Sequence, residues 1–215
     1  MNIGFNMKLQ LANAGIAVVL LSAGCAMAPN RPNSAAPGST YVQEVRNTGS
    51  YGTQNARNNI KVAGVQTWQN RNVFVYENSG FGSLITVPET GLWIAVVKGD
   101  TLLISYDPPI GWGYPLEVGR SGTGKYRTTN HVRKQTFDYE WSWRVDAYED
   151  VTVPAGTFKS YKIVTSDTLG TEGVSWWSPA LGVNVKASNR RSVKHPAGAG
   201  TNDTEIVSHE ITIAR

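Results

Sequence analysis

The stretch Phe137-Asp138-Tyr139-Glu140-Trp141-Ser142-Trp143-Arg144-Val145-Asp146-Ala147 alternates apolar and polar residues without a break. Successive side chains of a strand point to opposite faces. Phe137, Tyr139, Trp141, Trp143, Val145 and Ala147 therefore share one face, and Asp138, Glu140, Ser142, Arg144 and Asp146 the other. One face is core or cavity and the other is wet. A slip of one residue would invert every side chain, so the register is strongly specified.

Outward from this segment, short β-prone runs recur between turn residues: 60–68, 72–76, 84–87, 92–97, 101–106, 125–133, 136–148, 151–153, 158–165, 174–177, 183–187 and 205–213. No helical periodicity interrupts them, which predicts an antiparallel all-β domain. The end of the chain repeats the alternation, with Val207, His209, Ile211 and Ile213 on one face. In Val153-Pro154-Ala155-Gly156-Thr157, Pro fits position i+1 of a type I turn and Gly accepts the positive φ that follows. Lys98-Gly99-Asp100 joins two further runs. The stretch DPPIGWGYPLEV, from Asp107 to Val118, has three prolines and reads as a long crossing loop rather than a central strand, with Trp112 and Tyr114 exposed on it. Residues 41–59 are polar and Asn/Gly-rich, and are compatible with a loop, a short helix or one early strand.

Composition agrees with this class. The 215 residues are 40% hydrophobic and 17% charged, too apolar and too weakly charged for a disordered chain. Seven Trp, nine Tyr, 22 Gly and 10 Pro do not suit a helical bundle. The single Cys excludes an internal disulfide framework and a Cys-based zinc site. A formal charge of +4 without a basic stripe is not a nucleic-acid footprint.

The N-terminus has one early cation, Lys8, an apolar run ending in Ile16-Ala17-Val18-Val19-Leu20-Leu21, and then Ser22-Ala23-Gly24-Cys25. This is the layout of a secretory signal peptide. Met7, directly before Lys8, is a second candidate start. Cys25 after small residues resembles the lipobox of bacterial lipoproteins, with Leu21 one place further back than usual. By that resemblance Cys25 is the lipid-attachment site, modified with diacylglycerol and palmitate-type acyl chains. Ala26 after it implies sorting to the outer membrane, with the domain facing the periplasm. Several acyl chains exceed the two-signal threshold for stable anchoring. The expected organisation is a signal peptide at 1–24, lipidated Cys25 with a flexible tether to residue 40, and one β-rich domain over 41–215.

Motifs that carry chemistry are weak. Gly119 to Tyr126 (GRSGTGKY) matches a phosphate-binding loop until Tyr126 stands where Ser or Thr should hold magnesium, and no helix follows. A Gly-rich hairpin is the simpler reading. His131, His195 and His209 lack metal-ligand spacing, so no metal is expected. Asp138, Glu140 and Asp146 share a strand face, which reads as a solvated surface.

Three motifs in order carry a family resemblance: Tyr114-Pro115-Leu116-Glu117-Val118-Gly119, Val151-Thr152-Val153-Pro154-Ala155-Gly156-Thr157-Phe158-Lys159-Ser160-Tyr161-Lys162-Ile163, and Trp176-Trp177-Ser178-Pro179-Ala180-Leu181-Gly182-Val183-Asn184-Val185-Lys186. Over about residues 105–188 the chain resembles a group of exported bacterial β-rich domains of unknown function. The resemblance implies a curved sheet or half-barrel similar to the periplasmic lipoprotein carriers, and attaches no catalytic residue to the motifs.

The expected architecture is thus a curved antiparallel sheet, an open or half-barrel, or a sandwich. The expected role is non-enzymatic and needs no cofactor: a lipid-anchored envelope protein that binds an apolar or envelope ligand or supports envelope assembly. The rival is a protein–protein docking module of the outer membrane; a hydrolase is the weaker third reading. Trp112, Tyr114, Trp176 and Trp177 are the candidates for an apolar-ligand or docking surface. Trp176 and Trp177 are adjacent, so on a strand they cannot both enter one core.

Overall fold

The computed structural model describes residues 34–214, so the signal segment and Cys25 lie outside the described residues. Twelve strands follow one another: β1 (Thr40–Gly49), β2 (Ala56–Trp68), β3 (Arg71–Asn78), β4 (Ser83–Thr86), β5 (Trp93–Lys98), β6 (Thr101–Ile110), β7 (Ser121–Asn130), β8 (Gln135–Val153), β9 (Gly156–Asp167), β10 (Thr171–Ser178), β11 (Val183–Arg191) and β12 (Gly200–Glu210). Each pairs antiparallel with its sequence neighbours, and β1 pairs with β12, closing the sheet into an up-and-down barrel. Closure removes the sheet edges that an open sheet would expose. Because the strand number is even, both termini lie at one end, here the near end. The far end carries the turns that follow the odd-numbered strands.

The expectation of a curved antiparallel sheet holds, and the sheet closes completely. Three details differ from the sequence pattern. Residues 41–49, left unassigned by their polarity, form β1, which seals the barrel against β12. Ser34 to Ser39, expected in the tether, lie on the folded body: Ala35 is fully buried and bridges Ile213, and Ala36 N–H donates to the Thr212 carbonyl. Pro108 and Pro109, expected in a loop, end β6. They are tolerated there because the β6–β7 ladder stops at the Asp107–Arg127 pair, so no neighbour on that side needs their missing N–H.

Bulges set which residues face in. In β8, Asp146 is an extra residue between the Val145–Ile163 and Ala147–Lys162 pairs. Trp143 and Val145 before it join one apolar cluster, whereas Val151 and Val153 after it join another. In β12, Ile206 pairs with Gln43 and Ser208 with Val42, so Val207 is skipped. Ile206 is therefore the fully buried residue, not Val207 as simple alternation suggests.

Three clusters of buried side chains occupy the middle and near part of the barrel. The first joins Ala35, Val62, Phe74, Val151, Val153, Leu181, Val183, Val185 and Ile206. The second joins Leu116, Trp143, Val145, Ile163 and Trp177. The third, on β3 to β5, gathers Val73, Val75, Ile85, Ile94 and Ala95. Phe74 belongs to the first cluster while Val73 and Val75 belong to the third, so β3 is covered on both faces.

Candidate functional site

The four aromatic residues singled out in the sequence separate into two places. The connection 111–120 folds inward rather than standing exposed. Trp112 Nε1–H donates to the Tyr114 hydroxyl at 3.0 Å, and the Tyr114 ring meets Trp177 edge-on with centroids 5.6 Å apart. Trp112 and Tyr114 pack on the cluster of Leu116, Trp143, Val145, Ile163 and Trp177, of which Trp177 is 7% exposed. Burial pushes the Tyr114 hydroxyl pKa well up. Trp176 lies apart, against the first cluster; its Nε1–H donates to Glu149 Oε1 at 2.8 Å and Lys186 Nζ sits 5.6 Å from its ring. The separation of Trp176 from Trp177 follows strand alternation. Trp112, Tyr114 and Trp177 pack together while Trp176 contacts Glu149 and Lys186, and neither surface groove described below is lined by any of the four.

Two of the three glycines of GRSGTGKY, Gly122 and Gly124, make room for rings. Residues 121–130 are β7, and Gly122 and Gly124 lie opposite Trp143 and Trp141. A Cβ on Gly122 would sit 2.7 Å from Trp143 Nε1, and one on Gly124 would sit 2.7 Å from Tyr126 Cε2. The Gly-rich run makes room for rings, the role that a phosphate-loop reading would have missed.

The acidic face of β8 is ion-paired. Arg127 grips Asp138 with two N–H donors at 2.7 and 3.1 Å, Lys125 reaches Glu140 at 3.7 Å, and Asp146 meets Arg144 and Lys162. The Arg127 hydrogen bond holds the Asp138 carboxyl below its ordinary pKa. A groove of about 630 Å³ runs over this face between Asp107, Arg127, Asp138 and Thr168. A second, of about 530 Å³, crosses Thr40, Asn59, Lys61, Glu77 and Ser83. The histidines have separate partners: His131 Nε2 lies 2.9 Å from Ser105 Oγ, His195 Nδ1 accepts the Ala197 N–H, and His209 stands edge-on to Phe158. Among the described residues, no three His, Cys, Asp or Glu side chains gather as a metal site.

The far end is built differently. Asn189 and Gly173 are cross-strand partners, and Asn189 is paired with Asn202, whose Nδ2 donates to Asn47 Oδ1 at 2.7 Å. Two residues on from Asn189 and on the same face, Arg191 ends β11 and lays its guanidinium on the Tyr51 ring, 3.9 Å from the centroid. Its Nη1 reaches Ser50 Oγ at 3.4 Å, and its Nε is buried without a hydrogen-bond partner. The charges of Asp167 and Arg191 both act on Tyr51 and His195. Tyr106 feels Arg191, Tyr51 and Tyr139, and burial pushes its hydroxyl well up. His195 is 8% exposed, packs on Phe137, and is held below its ordinary pKa first by burial and then by Arg191. Sequence alternation missed this layer because it flags apolar residues; the available signal was Arg190-Arg191 ending a β-prone run beside a Gly-rich turn.

No family model matches the chain, and no curated protein matches it. Solved structures give distant likenesses. A candidate lipoprotein from Parabacteroides distasonis aligns at 13% identity with a TM-score of 0.45, over 83% of this chain and 97% of its own. The hypothetical lipoprotein YmcC from Escherichia coli aligns at 12% identity and 0.44, over 80% and 85%. A candidate exported protein with a YmcC-like fold from Bacteroides fragilis aligns at 14% and 0.46, over 83% and 98%. Scores below 0.5 at such identities do not establish a shared architecture.

Proposed function

We propose that the chain is an exported, lipid-anchored protein of the bacterial cell envelope, held to the outer membrane through Cys25, whose barrel works by binding an envelope ligand or partner rather than by catalysis. The observation that carries this reading is the polarity of the barrel's two ends. The chain enters at the near end, where Ala35 is buried ten residues after Cys25. Ten residues reach at most about 35 Å, so that end stays close to the lipid. The near end is also filled by the protein's own aromatic and aliphatic side chains, while the far end carries polar and charged loops. Ion pairs on the outer wall, among them Arg46–Glu205, Arg127–Asp138 and Lys61–Glu77, suit water rather than hydrocarbon. The packed Trp112–Tyr114–Trp177 cluster favours a ligand at the far end over one enclosed among those rings.

A protein-docking role has one observation in its favour. Tyr148, 41% exposed, stacks on Tyr161 with centroids 4.4 Å apart, and Lys159 Nζ lies 5.5 Å from the Tyr148 ring. Such exposed aromatic platforms suit interfaces. The anchoring is tested by labelling cells with an alkyne analogue of palmitate. Wild-type protein should take up label and partition into detergent, and Cys25→Ser should do neither. A Ser variant that still partitions with detergent would exclude the lipid anchor. Native mass spectrometry of protein extracted from its own envelope tests binding; an acyl-chain ligand held inside the barrel would contradict the far-end assignment.

A further inference from the structure

We infer that Arg191 is the centre of a site at the far mouth of the barrel for an anionic group, a carboxylate or phosphate carried by an envelope ligand. The inference rests on reading the far end as the working end, and goes further by naming the ligand's chemistry.

Several cations on the barrel wall have carboxylate partners: Arg46 has Glu205, Arg127 has Asp138 and Arg144 has Asp146. Arg191 has none within ion-pair distance among the described residues. Its one hydrogen bond, to Ser50, is long, and its buried Nε has no acceptor. Arg191 as a whole is half-buried, but leaving a buried N–H donor without an acceptor is costly, and proteins normally avoid it. Asp167, whose charge acts with that of Arg191 on Tyr51 and His195, accepts the Thr171 N–H at 2.8 Å and forms no ion pair with Arg191. Stacking on Tyr51 fixes the guanidinium plane, and a fixed planar fork matches the two oxygens of a carboxylate or phosphate. Tyr106 and Tyr139, close enough to be coupled electrostatically, bring hydroxyls to the same interior.

The surrounding rim adds a long-range bias. Lys98, Arg133, Lys134, Arg190 and Lys194 all lie at the far-end turns, and none forms an ion pair among the described residues. The carboxylates there are Glu77, which pairs with Lys61, and Asp100, Asp167 and Glu172, the last directly across from Arg190. An excess of unpaired cations around a mouth raises the local concentration of anions and speeds their capture.

The test uses the full chain purified in a nonionic detergent, titrated at constant ionic strength with inorganic phosphate, D-glucuronate and uncharged D-glucose. Bound ligand raises the melting temperature with saturation. The wild type should respond saturably to phosphate or glucuronate and not to glucose; which anion binds tells a phosphorylated ligand from a carboxylated one. Arg191→Gln should weaken that response at least tenfold, and Arg191→Lys, which keeps the charge and loses the fork, should fall between. The double variant Arg133→Ala/Lys194→Ala should bind more weakly at low salt and converge on wild type at high salt. A wild type that responds to neither anion, or an Arg191→Gln variant that responds like wild type, overturns the proposal. So does an Arg191→Gln variant that melts far below wild type without anion, because the guanidinium would then be a satisfied structural stack. None of these outcomes depends on acylation at Cys25, so loss of the anchor and loss of the anion site are separable.

Discussion

Adding one methyl group to Gly122 tests whether the near-end rings are close-packed. Gly122 has no positive φ, so its backbone suits any residue, and in open space Gly→Ala in a strand is favourable by about 0.5–1 kcal/mol. The added Cβ would lie 2.7, 2.9 and 3.1 Å from Trp143 Nε1, Cε2 and Cζ2. Trp143 is 9% exposed and wedged among Leu116, Val145, Ile163 and Trp177, so the indole has little room to retreat. Overpacking of this kind costs about 1–3 kcal/mol. The difference predicts a net loss of about 0.5–2 kcal/mol, or roughly 1–8 °C in melting temperature for a domain of this size. Trp143→Leu removes all three contacted atoms, and in that background Gly122→Ala should become neutral or stabilising. A double-mutant cycle from guanidinium melts followed by far-UV circular dichroism should give a coupling of about 1–3 kcal/mol. If Gly122→Ala is at least as stable as its parent with Trp143 in place, the ring packing is wrong and the near end has space for a ligand.

Four further outcomes follow from individual contacts. Gly156 sits at φ 136°, which a β-branched residue strongly disfavours, so Gly156→Val should lower the unfolding free energy from denaturant melts by about 1–3 kcal/mol; an unchanged value would misplace the β8–β9 turn. Trp143→Ala should cost roughly 3–5 kcal/mol, and a loss below 1 kcal/mol would mean the cluster is loosely filled. His195 has a depressed pKa, so below its ordinary value the unfolded chain binds a proton that the folded chain refuses. Stability should therefore fall as pH drops from about 7 through 6, until the folded imidazole also protonates. His195→Asn, which keeps an acceptor for the Ala197 N–H, should flatten that slope in melts across this range. Burial raises the hydroxyl pKa values of Tyr41, Tyr106 and Tyr114, so an alkaline absorbance titration should leave these three un-ionised until the barrel unfolds; nine tyrosines titrating together would contradict their burial.

Strand content was legible where one face was apolar. The run from Phe137 announced β8 because five large side chains alternate with polar ones. β1 was not legible because its inward residues include Gln43 and Asn47, whose burial depends on partners contributed by β12 and β2 across the closure. Local pattern also could not separate an open sheet from a barrel, since closure is decided by the Thr40–Gly49 ladder to Gly200–Glu210, more than 150 residues apart in the chain. The bulges at Asp146 and Val207 each insert a residue without any composition signal, so alternation placed Val207 inside where Ile206 is.

The aromatic residues and the cation explain why the site was harder to read than the fold. Trp112 and Tyr114 stood between prolines and glycines, which mark a loop but leave open whether it folds inward. Their fate was decided by space: the glycines of β7 leave a recess over Trp143, and Leu116 and Tyr114 pack beside it. A ring that is needed to complete a core is a poor candidate for binding, because vacating it costs the contacts that hold the fold. Arg191 is the reverse case. No pattern marks it, since a charged residue at a strand end is ordinary, yet its Nε is among the buried polar atoms that the fold leaves without a partner, with Ser178 Oγ, Asn184 Oδ1 and His209 Nδ1. Tyr51 stacks on its guanidinium, Ser50 takes one N–H at 3.4 Å, and its Nε has no acceptor. Under the proposed anion site, the atoms that bind are ones the barrel's own packing leaves without a partner, as it leaves Arg191 Nε.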